Sequence, residues 1–124
     1  VVVDKRRGLD GVMRVHGVIG EVKDKNVIFF DDEVVTGESI FEGVQAVRNR
    51  GCSKVYAGCV HGTLAGDAPQ KIGQSDLEYL AITDTIPLPP GSENSKIAVC
   101  SVSQLFARAI KAIHQETSIS EIFS

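Results

Sequence analysis

Val27-Ile28-Phe29-Phe30-Asp31-Asp32-Glu33-Val34-Val35-Thr36-Gly37-Glu38-Ser39 is the stretch from which the rest of the chain can be read. Two β-branched and two aromatic residues run straight into two adjacent carboxylates, as a buried strand does when it ends at an acidic edge. Four residues on, Thr36-Gly37-Glu38-Ser39 forms a turn. Behind it Ile40, Val44 and Val47 recur at i, i+4 and i+7, and Phe41 widens the same face, which predicts an amphipathic helix. Gly51 stands where such a helix stops.

The same alternation continues outward. Short apolar runs occur at Val1 to Val3, Val55 to Val60, Tyr79 to Ile82 and Ile97 to Cys100. Unbroken runs, rather than alternating ones, predict strands covered on both faces, as in parallel sheets. A second amphipathic helix is marked by Val102, Leu105, Phe106, Ala109, Ile110 and Ile113, with Ser101 and Gln104 at capping-box spacing. Gly66 to Ile72 reads as a short helix, and Leu88-Pro89-Pro90-Gly91-Ser92 as a loop. The mixed pattern from Val12 to Glu21 reads as a short strand or hairpin. The order predicts an α/β fold: one mostly parallel sheet flanked by helices, joined by right-handed crossovers.

With 124 residues the chain is about one domain, 1–124, and 43% hydrophobic against 23% charged residues is enough to bury a core. A net charge of −3 argues against a general nucleic-acid binder. The apolar runs are too short for a membrane span, and no signal-peptide pattern opens the chain. Cys52, Cys59 and Cys100 form no CxxC pair, so reduced thiols in a cytoplasmic protein are expected rather than a disulfide scaffold or structural zinc.

Chemistry concentrates at the quoted stretch. Ligands of open α/β sheets bind beyond the carboxyl ends of the strands. Backbone N–H groups of Thr36 to Ser39 at a helix N-terminus suit a phosphate. Asp31 and Asp32 suit vicinal sugar hydroxyls or Mg²⁺. Together they describe a sugar phosphate. A plain acidic strand end followed by a Ser39-capped helix is the competing reading. His61 fits either a base or nucleotide contact, or a hydrogen-bonded structural histidine; His16 and His114 have no partner spacing. Thr83-Asp84-Thr85 reads as a structural turn.

The strand, acid pair and Thr-Gly-x-Ser turn resemble the phosphoribosyl-diphosphate-binding motif of type I phosphoribosyltransferase folds. Asp4-Lys5-Arg6-Arg7, Val18-Ile19-Gly20, Lys54-Val55-Tyr56-Ala57, His61-Gly62, Thr83 to Leu88 and Ile119-Ser120-Glu121-Ile122-Phe123 narrow the resemblance. In this order they are similar to the C-terminal half of the ribose-phosphate pyrophosphokinase family. The resemblance implies a C-terminal phosphoribosyltransferase-like domain of a two-domain enzyme. That enzyme moves diphosphate from Mg-ATP to the C1 hydroxyl of ribose 5-phosphate. Asp31 and Asp32 would then hold the ribose hydroxyls and Mg²⁺, and Thr36, Gly37, Glu38 and Ser39 the 5-phosphate. Lys5 and Arg7 would match the basic residues of a catalytic loop, and Ser118 and Ser120 a regulatory phosphate site between subunits. A capping box, Ser118 with Glu121, explains those serines equally well. A homo-oligomer, commonly hexameric, is implied too. Most ATP-binding elements and a diphosphate-binding Gly-Gly loop would lie ahead of Val1, so these 124 residues are expected to bind ribose 5-phosphate without turnover.

The family usually has Asp where this chain has Val35, and Gly where it has Glu38. The first change removes a candidate ligand. The second sets a carboxylate beside the phosphate, which repels unless the side chain turns away. Glu33 adds a further charge, as a metal ligand or facing solvent. The alternatives are a non-catalytic regulatory homologue of the synthase and a phosphoribosyltransferase. The second is weakened by Lys5-Arg6-Arg7 and by the Phe123-Ser124 ending.

Overall fold

The computed structural model describes residues 2–7 and 13–123, with the backbone alone for 2–7 and 13–19. The apolar runs become strands and the amphipathic patterns helices. After β1 (Val2–Arg7) and β2 (Met13–Ile19) come β3 (Val27–Val34), α1 (Glu38–Arg48), β4 (Val55–Gly62) and α2 (Ala68–Gln74). Then follow β5 (Tyr79–Thr83), β6 (Ile97–Cys100), α3 (Ser103–His114) and a 3₁₀ helix (Ile119–Phe123). Strands β3 to β6 form one all-parallel sheet in the order β3-β4-β5-β6, confirming the α/β fold. Strands β1 and β2 pair antiparallel in a sheet of their own, with β2 against α1. The strand expected at Val1 to Val3 therefore runs on through Lys5 to Arg7, with a register shift between Asp4 and Lys5.

The core lies on one face of the parallel sheet. Ile40, Val44 and Val47 of α1 and Ala68 and Ile72 of α2 close over Val27, Val55, Ala57, Leu80 and Ile82. Phe29 lies so close to α1 that a Cβ on Gly43 would meet its ring at 3.2 Å, which accounts for a glycine in mid-helix. Arg48 laces the layer together, donating to the Ser53 carbonyl (2.6 Å) and the Asp76 carbonyl (2.8 Å). Leu80 is fully buried on an internal strand. Leu80→Ala is expected to destabilise the fold by about 2–5 kcal/mol, read from urea unfolding.

The opposite face departs from the sequence expectation. Ile28, Phe30 and Tyr79 are 58%, 82% and 51% exposed, so among the described residues the strands are covered on one side only. The reason is topological. Each strand is added on the same side of its predecessor, and right-handed crossovers then place α1 and α2 on the same face. Helix α3 forms where the periodicity places it, yet Phe106, Ile110 and Ile113 stay exposed and only Ala112 is buried. Its N-cap is Val102, and Ser101 Oγ accepts from Ser103 N–H (3.3 Å), so the expected capping box of Ser101 and Gln104 is replaced by a shorter local bond. No helix among the described residues is long and apolar enough to cross a membrane.

Candidate functional site

Strand β3 does not stop at Phe30 but continues to Val34, placing the acids inside the strand. Parallel pairing holds this extension, with Asp31 beside Cys59 and Glu33 beside His61. It persists into the turn, where Leu64 N–H donates to the Val34 carbonyl (3.1 Å) and Ala65 N–H to the Val35 carbonyl (2.8 Å). Alternation then separates the acids. Asp31 and Glu33 line a cavity of about 190 Å³ together with residues 34–40, whereas Asp32 does not line it and is exposed.

The two carboxyls nevertheless stay linked. Asp32 N–H donates to Asp31 Oδ1 (2.9 Å) and Glu33 N–H to Asp32 Oδ1 (3.0 Å). A hydrogen bond with the Asp31 side chain, followed by the N–H groups of Asp32 and Glu33, holds Asp32 below the ordinary carboxylate range. Glu33 is exposed, and its Oε1 accepts from the Thr63 hydroxyl (2.8 Å).

Across the cavity, Gly37 is left-handed (φ 78°, ψ −4°), and its carbonyl accepts the first bond of α1 from Phe41 N–H (2.9 Å). The N-cap residue, Gly37, has no side chain with which to cap α1, and the first turn of the helix, with the positive end of its dipole, lies at the cavity. Thr36, Gly37, Glu38 and Ser39 all line this space, and so does Val35. The structure thus brings Asp31, Thr36, Gly37, Glu38 and Ser39 together, with Asp32 attached through Asp31. Lys5 and Arg7 belong to β1, outside the parallel sheet, and their side chains lie outside the described residues. Ser118 and Ser120 are not part of this cavity. Ser118 lines a separate pocket of about 290 Å³ with Arg108, Lys111 and Thr117, and its Oγ accepts from Ser120 N–H (3.2 Å).

Beside the cavity, the ends of β4 and β5 carry a hydroxyl and imidazole cluster at His61, Thr83 and Thr85. Asp84 is more than a turn residue: its Oδ1 accepts Val102 N–H (2.8 Å) at the start of α3. A hydrogen bond with the Ser101 side chain, then that N–H, lowers its pKa below the ordinary value. A lowered folded value means that the contribution is present above the ordinary carboxylate pKa and lost as pH falls through the lowered one. The Val102 amide resonance is therefore expected to move with acid in a single step below about pH 4, and to stay still in Asp84→Asn. Cys59 is buried, and desolvation followed by the charges of Asp31 and Glu33 pushes its thiol up to about 11, making it a poor nucleophile at neutral pH.

The chain is similar to proteins of known name. The phosphoribosyl synthetase-associated domain family matches residues 13–124. The chain belongs to this family. It is 39% identical over 123 residues to a ribose-phosphate pyrophosphokinase of Caldanaerobacter subterraneus subsp. tengcongensis, covering 99% of this chain and 39% of that protein. A ribose-phosphate pyrophosphokinase of Campylobacter jejuni is 38% identical, again over 99% of this chain and 39% of its own length. The crystal structure of phosphoribosylpyrophosphate synthetase from Mycobacterium smegmatis superposes with a TM-score of 0.77 at 30% identity. That match covers 85% of this chain and 34% of that one. The chain thus spans about two fifths of the length of these curated relatives.

Proposed function

We propose that this chain is the ribose 5-phosphate-binding domain of a ribose-phosphate pyrophosphokinase. That enzyme transfers diphosphate from Mg-ATP to the C1 hydroxyl of ribose 5-phosphate, giving phosphoribosyl diphosphate and AMP. The observation that carries the reading is one cavity lined by Asp31 and by the turn Thr36 to Ser39 that opens α1. Anion binding to backbone N–H groups and hydroxyl binding to carboxylate are complementary tasks set side by side.

In this reading the turn takes the 5-phosphate, and Asp31 and Asp32 take the pentose hydroxyls. Lys5 and Arg7 offset charge on the diphosphoryl group in transit, since phosphoryl transfer depends chiefly on positioning and charge stabilisation. Among the described residues no group of three or more His, Cys, Asp or Glu side chains converges on one point. Two carboxylates suit Mg²⁺, which keeps several waters and leans on substrate phosphates. Asp31 and Asp32 would hold it, and the bound ion would supply charge neutralisation. Glu38 is exposed, so its carboxylate can remain in solvent while its N–H faces the anion.

The exposed apolar sides of α3 and of the parallel sheet support assembly into a homo-oligomer, a hexamer by resemblance. Arg108 and Lys111 beside Ser118 support a regulatory phosphate site there, with Ser120 as part of it. Free cysteines, two of them buried, support a reducing cytoplasm.

Calorimetry of the chain with ribose 5-phosphate and Mg²⁺ tests the reading. Saturable binding is expected, with ribose alone and inorganic phosphate each binding more weakly. Absence of heat with ribose 5-phosphate, at concentrations where the fold is intact, would remove the proposal. In the same samples ATP should give no turnover.

A further inference from the structure

His61, Thr83 and Thr85 form a bonded cluster at the carboxyl edge of the sheet with no part in the roles assigned above. The Val60 carbonyl lies 2.7 Å from Thr83 Oγ1 and 3.1 Å from Thr85 Oγ1. The two hydroxyls are 3.0 Å apart, and Thr85 Oγ1 is 2.9 Å from His61 Nδ1. A carbonyl can only accept, and each hydroxyl has one proton to give. The arrangement that satisfies most of these contacts at once puts the Thr85 proton on the Val60 carbonyl and leaves Thr85 Oγ1 to accept from His61 Nδ1. In that arrangement the uncharged ring carries its proton on Nδ1 and a lone pair on Nε2.

His61 is exposed, and its Nε2 has no hydrogen-bond partner among the described residues. Strand register sets His61 beside Glu33, one residue past the acid pair on the neighbouring strand. Adjacent strands lie about 4.8 Å apart, so a pentose held by Asp31 and Asp32 is within reach of the ring.

We propose that His61 is a further ligand-contacting residue, with Nε2 accepting a hydrogen bond from a pentose hydroxyl, and that Thr85 is the positioning residue that fixes its tautomer. The inference rests on the ribose 5-phosphate reading and adds to it the residue that meets the sugar from β4.

Imidazole-nitrogen NMR of the 124-residue chain provides the test. The free protein is expected to show the Nδ1–H tautomer. Ribose 5-phosphate should shift the Nε2 resonance, and inorganic phosphate should leave it in place. His61→Asn keeps an amide near Thr85 and loses reach toward the sugar; its affinity should fall about tenfold, the effect of one lost hydrogen bond. His61→Gln can place its side-chain carbonyl near the Nε2 position and should retain most of the affinity. Thr85→Val should release the tautomer and weaken binding severalfold.

A merely structural histidine predicts the opposite order, with the Asn variant tolerated and the Gln variant impaired. That order, or an Nε2 resonance unmoved while the wild type binds, overturns the role of His61 and leaves the phosphate turn standing. A wild type that ignores ribose 5-phosphate overturns both.

Discussion

Gly37→Val is expected to abolish ribose 5-phosphate binding and to lower stability by about 2 kcal/mol or more. Two independent costs meet at this position. The backbone is left-handed (φ 78°), a region that β-branched residues scarcely enter. A Cβ built there would stand 2.8 Å from Cε2 and Cζ of Phe41, one turn along the helix that the glycine opens. Relief requires either the Phe41 ring to leave its place against the core or the turn to change conformation. The second movement rotates the N–H groups of Thr36 to Ser39 away from the cavity. Gly37→Ala separates the terms, because it keeps the clash and part of the strain but lacks branching. It should fall between wild type and valine in both calorimetry and urea unfolding. A valine variant that binds normally would show that the turn does not hold the phosphate.

The double substitution Asp31→Asn, Asp32→Asn is expected to cost about a hundredfold or more in affinity for ribose 5-phosphate with Mg²⁺. Thermal stability should be little changed. Neutral amides still accept the backbone N–H bonds that order the strand, so the geometry survives. What disappears is negative charge, the one property that both a divalent cation and a polarised pair of hydroxyls need. The single variants should be unequal. Asp31 lines the cavity and Asp32 does not, so Asp31→Asn carries the larger loss. Calorimetry with and without Mg²⁺ measures both terms. Equal affinity in the double variant would leave the acids a purely local role at the strand edge.

These expectations were largely visible in residues 27–39. An apolar run, an acid pair, a Gly-containing turn and a 3.6-residue periodicity are local signals, and each acts over a few residues. They located β3, α1, and the turn between them. The strand's true end was not visible. Asp31, Asp32 and Glu33 have poor strand propensity, and only pairing with Cys59 and His61 on β4 keeps them extended. The partner of Glu33 was equally hidden, since Thr63 lies 30 residues away in sequence. His61 and Thr83 to Thr85 were each legible as strand-end segments, but their association was not, because the parallel sheet brings together strand ends that the chain separates by more than twenty residues.

By itself the sequence determined which segments are strands and helices, their order, and the turn suited to an anion, because propensity, capping and periodicity are short-range effects. Tertiary structure decided which apolar residues are buried. Ile28 and Phe30 read like core residues, as do Ile110 and Ile113, yet all four are exposed. Hydrophobicity sets the gain from covering a side chain, whereas crossover handedness and strand order decide which face the helices cover.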